Sequence, residues 1–297
     1  MLKELNAFAN VEMRKIVSFL SQLEHSLVFK LKKPKMKLEN GFLIISIDVD
    51  VGNKKLGVMN EGKNDENISK HRTEYLIGEI EERVFPLFVD LFDRFEVPVT
   101  FAMRGQLMEV DDSMLKILLQ SSVKHDIGSH GYYHRPFKNL RKDEVENELK
   151  MISVAMNKLG AIPKSFVFPK NSVAHLDLLE KYGYKCYRSY GNFLNDGMYI
   201  KKSGQLYDVH PSLYLDQLRN PILLRKIIDI AIAKKLPFHV WFHLWNFGEK
   251  QESILKVIDN VFSPLFRYAK KRERDGVLTF ETMLSATQKV KEMFEIK

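Results

Sequence analysis

Five side chains in this sequence have the type and placing to hold a metal ion and to move protons beside it: Asp48, Asp50, His130, His134 and His243. The stretch Phe42-Leu43-Ile44-Ile45-Ser46-Ile47-Asp48-Val49-Asp50 runs from apolar residues into two carboxylates. Residues two apart on a strand point the same way, so both acids can serve one site, as a carboxylate pair or as a joint metal clamp. His130 and His134 lie in Ser129-His130-Gly131-Tyr132-Tyr133-His134 at i, i+4 spacing, which on a helical turn lets two imidazoles share one metal ion. With Asp50 they make a ligand set of two imidazoles and one carboxylate, leaving positions open for water and substrate. His243 follows the apolar run Val240-Trp241-Phe242 and so shares the strand-end placing of the acids. Trp241 and Trp245 flank it and offer apolar platforms for a sugar or an acyl group, although core packing explains Trp241 equally well.

These residues need a scaffold that gathers strand ends. The apolar run 42–47 reads as a strand buried on both faces, the kind found in parallel α/β sheets, where chemistry sits at the C-terminal ends of the strands. Further strands are expected at 97–102, about 126–128, 165–168, 184–187, near 207–209, and at 238–242 and 276–280. Helices are expected at 74–95, 112–121, 141–158, 172–182, 221–234, 251–272 and at the end of the chain. That alternation gives seven or eight strands, nearly all separated by helices, in one sheet closed or nearly closed into a barrel. Residues 51–70 are polar and read as a long loop. Residues 11–29 read as an amphipathic helix, and five lysines follow between Lys30 and Lys37. This gives two regions: an N-terminal helix and basic linker over 1–40, and a barrel over 41–297.

Composition narrows the function classes. The single cysteine, Cys186, excludes an intramolecular disulfide and a cysteine-based zinc site, so a metal must be held by histidines and carboxylates. A formal charge of +8 favours anionic partners without choosing among them. The basic clusters are solvated faces or contacts with an anionic membrane surface, and no nucleic-acid partner is expected. Without a membrane-spanning run or a signal peptide, a cytoplasmic protein is the expectation, with peripheral contact at the inner face of the membrane.

The order of an acid pair at a first strand end, the segment Asp126-Ile127-Gly128-Ser129-His130-Gly131-Tyr132-Tyr133-His134, a Phe168-Pro169 turn and a late strand ending in His243 resembles the polysaccharide deacetylase family with the NodB homology domain. The resemblance runs from about 42 to 285 and is most specific from His125 to His134. It implies a distorted (β/α)7–8 barrel of mostly parallel strands and metal-dependent removal of acetyl or other acyl groups from a sugar. By matching motif, Asp48 would be the general base, Asp50, His130 and His134 the metal ligands, and His243 the general acid. The Lys170 backbone N–H would steady the oxyanion, with Phe168 and Pro169 beside the substrate. The implied cofactor is one divalent ion, zinc first, with cobalt, manganese or nickel as alternatives. The implied partner is an acylated carbohydrate, such as a polysaccharide or a lipid- or nucleotide-linked precursor.

Two departures bear on that assignment. The acids are spaced by Val49 rather than adjacent, a pattern similar to an acid-x-acid subgroup. The arginine usual in the third motif is replaced by Phe166-Val167-Phe168-Pro169-Lys170-Asn171, leaving Lys170 to supply the charge that tunes the base. Two other readings fit parts of the chain: an Asp-x-Asp glycosyltransferase, and a catalytically silent carbohydrate-binding barrel.

Overall fold

The computed structural model describes residues 38–50, 83–192, 196–247 and 251–295. The expected amphipathic helix, the lysine run and the 51–70 loop lie outside the described residues.

β1 (Gly41–Val49) is buried along its whole length. Its period-2 pattern divides the molecule. Leu43, Ile45, Ile47 and Val49 join the larger apolar core beneath the surrounding helices. Phe42 and Ile44 face inward into a second, smaller core. Ser46 and Asp48 continue that inward face, and both are buried. β1 is the hub of the sheet. It pairs in parallel with β9 (Pro237–His243) along one edge, and with β2 (Thr100–Met103) and β10 (Leu278–Glu281) along the other.

The sheet has ten strands in the order β6-β7-β5-β4-β3-β2-β1-β9-β8, with β10 paired to β1. β3 is Asp126–Ser129, β4 Ser165–Val167, β5 Cys186–Arg188 and β7 Leu206–Val209. Pairing is parallel throughout except for the β6–β7 hairpin. β6 (Ile200–Ser203) and β8 (Leu213–Tyr214) exceed the expected strand count, being too short to show a periodic pattern. The result is a curled, incompletely closed barrel of the expected class.

Helices cover the outside. α1 (Phe85–Phe95) sends Phe88 and Phe92 into a layer of aromatic rings with Phe242, Phe262 and Phe266; the Phe88 and Phe262 centroids lie 5.2 Å apart. Fully burying each such ring contributes about 1.5–3 kcal/mol. α2 (Gly105–Val110), α3 (Ser113–Gln120), α4 (Lys142–Asn157) and α5 (Leu176–Lys181) follow β2, β3 and β4 around the barrel. α6 (Pro221–Lys234) has the expected bounds because Asn220 caps it, accepting from the N–H groups of Ile222 and Leu223, with Pro221 in the first turn. The expected helix 251–272 is instead α7 (Gln251–Val257) and α8 (Ser263–Arg274), joined by a π-helical turn ahead of Pro264. α9 (Met283–Glu295) places Met283, Ala286 and Val290 against Phe42 and Ile44, closing the interior at the N-terminal end of the barrel. No described helix is long and apolar enough to cross a membrane.

Candidate active site

The C-terminal ends of four strands converge at the open end of the barrel. β1 brings Asp48 and, one residue past its end, Asp50. β9 ends on His243, which is in register with Asp48. β3 runs into His130, and β5 ends on Arg188. Inward-facing residues alternate on β9 as on β1, so His239, Trp241 and His243 line the interior while Phe238, Val240 and Phe242 face the helices.

Asp50, His130 and His134 bring one donor atom each to within 4.8 Å of one another. His134 Nε2 lies 3.7 Å from Asp50 Oδ2. Their donor chemistry fits a divalent ion. His130 Nδ1 donates to the Val167 carbonyl at 2.9 Å, which fixes the tautomer and turns the bare Nε2 toward Asp50 and His134. That Nε2 is buried with no hydrogen-bond partner among the described residues, as expected of a ligand atom. Burial, partly opposed by the Asp48 charge, lowers the His130 pKa to about 4, so the ring is neutral and able to bind metal at neutral pH.

The two histidines do not share the expected helical turn. They sit on an irregular loop with left-handed backbone at Gly131 (φ 70°) and His134 (φ 61°). A Cβ at Gly131 would lie 2.9 Å from Pro169 Cγ, so only glycine fits there. Glu148 of α4, fully buried, holds the loop from behind. It accepts from the N–H groups of Tyr132 (3.0 Å) and Tyr133 (3.3 Å) and from Arg135 Nε (2.7 Å).

Asp48 has a different environment from Asp50. Arg188 grips it bidentately, Nη1 to Oδ1 at 2.7 Å and Nη2 to Oδ2 at 2.6 Å, with both side chains almost fully buried. Burial alone would raise the Asp48 pKa, but the Arg188 guanidinium, helped by His130 and His243, holds the carboxyl well below the usual range. The two acids are therefore not equivalent clamps: Asp48 is committed to Arg188, and Asp50 faces the histidines.

His243 Nε2 lies 3.8 Å from Asp48 Oδ2 and 3.6 Å from Asp50 Oδ2. Its Nδ1 faces the Tyr214 hydroxyl at 3.4 Å. Asn246 Nδ2 donates to that hydroxyl oxygen at 2.6 Å; when the phenol in turn donates to Nδ1, the imidazole proton stands on Nε2, toward the acids. Trp245 stacks on the His243 ring, with centroids 4.5 Å apart, and donates from Nε1 to Asp50 Oδ1 at 3.2 Å.

Several expectations are corrected. The charge on Asp48 comes from Arg188, not from Lys170, an exposed residue in a turn beyond β4 with φ 51°. Phe168 is 1% exposed among Phe137, Phe166 and Tyr187, and Pro169 packs on Gly131, so both are buried supports rather than substrate contacts. Trp241 is 9% exposed and packs against Tyr214 and the Arg188 guanidinium, the latter 4.2 Å from its ring centre, so it stands behind the Asp48–Arg188 pair and offers no platform. Trp245 remains beside the site. Arg188, Tyr214, Asn246 and Glu148 escaped the sequence reading. Only Arg188 carried a signal, as a charge closing an apolar strand at the level of the acids.

Residues 77–187 match the family model described as Polysaccharide deacetylase, a span that holds His130 and His134 but neither acid of β1 nor His243. No curated protein matches the sequence. Among solved structures, one from Mycobacterium smegmatis assigned to the polysaccharide deacetylases is similar at 15% identity and a TM-score of 0.66, covering 88% of this chain and 95% of that one. Another so assigned, from Pseudomonas aeruginosa PAO1, is similar at 15% identity and a TM-score of 0.55, covering 84% and 90%. The Puue allantoinase shares the fold at 14% identity and a TM-score of 0.59, covering 84% and 89%. At such identities these likenesses establish the barrel, while the family model reaches the loop that carries the histidine pair. Over residues 77–187 the chain is thus similar to the polysaccharide deacetylases, and it shares its barrel with solved structures assigned to them.

Proposed function

We propose that the chain is a metal-dependent deacetylase that hydrolyses the amide of an N-acylated sugar. One observation carries the reading: Asp50, His130 and His134 converge on one point, and His243 stands between Asp48 and Asp50 beside it. Asp50, His130 and His134 would hold a divalent ion, zinc first, which when bound supplies Lewis acidity to the acyl carbonyl and lowers the pKa of water. Asp48, kept anionic and oriented by Arg188, accepts the proton of the attacking water. His243 carries its Nε2 proton toward the leaving nitrogen, so the C–N bond breaks as the amine takes up a proton and the acyl group departs as a carboxylate. The turn at Lys170 lies past the end of β4, and its N–H is the proposed oxyanion donor.

Arg188 gives Asp48 the guanidinium partner that the third motif lacks, which supports the enzyme over a silent barrel. The Asp48–Arg188 pair likewise disfavours a glycosyltransferase clamp built from both acids. For the substrate we favour a lipid- or nucleotide-linked N-acetyl sugar met at the cytoplasmic side, with the lysine run at the membrane surface. The test is acetate release by the zinc-loaded full chain from acetylated sugars, including a nucleotide-linked N-acetylhexosamine, with Asp48→Asn and His243→Ala as controls. Turnover that survives both substitutions, or metal binding that survives joint replacement of His130 and His134, would refute the assignment.

A further inference from the structure

Below Asp48 the barrel interior holds a chain of polar groups whose direction is fixed at every link. His239 Nδ1 faces the Val209 carbonyl at 3.1 Å, and a carbonyl only accepts, so Nδ1 bears the proton and Nε2 is bare. Ser46 Oγ, 2.8 Å from that Nε2, must therefore donate to it. With its hydrogen so used, Ser46 has lone pairs left for Arg188 Nη1, which donates at 3.0 Å. The same Nη1 continues to Asp48. His239 is itself pinned, its backbone N–H donating to Ser212 Oγ at 3.0 Å and its carbonyl accepting from the Ser212 N–H at 2.7 Å.

Ser46 and His239 are 0% exposed and Arg188 is 1% exposed. Nearer the base of the same interior the residues are apolar, Phe42, Ile44 and Val209 among them. A polar chain in such a place costs desolvation unless each group is matched. The matched groups run in one line from β7 through β9 and β1 to Arg188, whose Nε has no partner among the described residues. The Nη contacts therefore set the orientation of the guanidinium, with the Trp241 ring against it.

We propose that His239 and Ser46 are positioning residues that lock the Arg188 guanidinium in the orientation that grips Asp48. The inference rests on the reading of Asp48 as the base, and its test separates the two. In the zinc-loaded full chain labelled with 15N-arginine, the Arg188 side-chain signals, assigned by their loss in Arg188→Met, report Nη–H exchange with solvent. Ser46→Ala should speed that exchange about tenfold or more while Ser46→Thr keeps the slow rate, since each charge-assisted hydrogen bond holds the group strongly. If Ser46→Ala does not fold, His239→Phe gives the same readout by removing the acceptor that orients the serine. Exchange within about twofold of the parent in a folded variant would overturn the proposal. On N,N′,N″-triacetylchitotriose, kcat for acetate release should fall about tenfold in Ser46→Ala with KM unchanged and recover in Ser46→Thr; a rise in KM with kcat unchanged would also overturn it. A parent protein inactive on this probe would count against the deacetylase reading, and the exchange measurement would still decide the relay.

Discussion

Replacing Arg188 with methionine keeps most of the side-chain length and removes the charge, leaving the Asp48 carboxylate buried without its partner. Asp48 is 3% exposed and receives two hydrogen bonds shorter than 2.8 Å from that guanidinium. Breaking such a buried pair typically costs about 3–5 kcal/mol, mostly the penalty of a stranded charge. The cost should therefore be coupled to Asp48. In urea unfolding followed by far-UV circular dichroism at pH 7, Arg188→Met should lose that amount, and the double variant Arg188→Met/Asp48→Asn should recover most of it. The indole of Trp241, which packs on the guanidinium, supplies a second probe through its fluorescence. With Asp48 as the proposed base, turnover by Arg188→Met should fall about a hundredfold or more, because a displaced and partly protonated carboxylate accepts a proton poorly. A loss below about 1 kcal/mol, or a double variant no more stable than the single one, would refute the reasoning, since either result means the pair is not coupled as the geometry requires.

Three further outcomes follow from the site and its surroundings. Burial holds His125 down to about 4 against the pull of Asp93, and holds His239 down to about 3, with the Arg188 charge adding to the effect. Both are neutral when folded and take up protons on unfolding, so their stabilisation is complete above pH 6.5 and is lost as pH falls toward 4, on the order of 3 kcal/mol each. Chemical denaturation across pH 4–7 should show that slope, and His125→Phe, beside Phe92 and Phe101, should flatten it. Gly131→Ala should cost about 1–3 kcal/mol, from a φ of 70° and the contact with Pro169, and should weaken zinc binding measured by calorimetry. Removing the metal with a chelator should lower the melting temperature, with zinc at a hundred times its Kd restoring about 2.7 kcal/mol to the parent and nothing to a His130→Ala/His134→Ala double variant.

Much of this molecule is legible in one dimension because its signals are local. Continuous apolar runs marked β1 and β9, a helix was legible near 221–234, and acids or histidines closing apolar strands marked the candidate site. Where the signal was short or lay in backbone conformation, it failed. β6 and β8 are too brief for a period to show, and the histidine pair sits on a left-handed loop that its spacing alone represents as a helical turn.

The sequence by itself determined which side chains stand at strand ends, since a strand's periodicity is written in its own residues and a parallel barrel places all such ends at one rim. It did not determine how those side chains divide the work. Asp48 and Asp50 differ because Arg188, 140 residues away, reaches across the interior to only one of them. Trp241 and Phe168 read equally well as platform or core until packing placed one against Arg188 and the other among aromatic rings. Only the tertiary structure decides such pairings, because barrel closure sets which inward-facing residues meet, and no spacing along the chain encodes that distance.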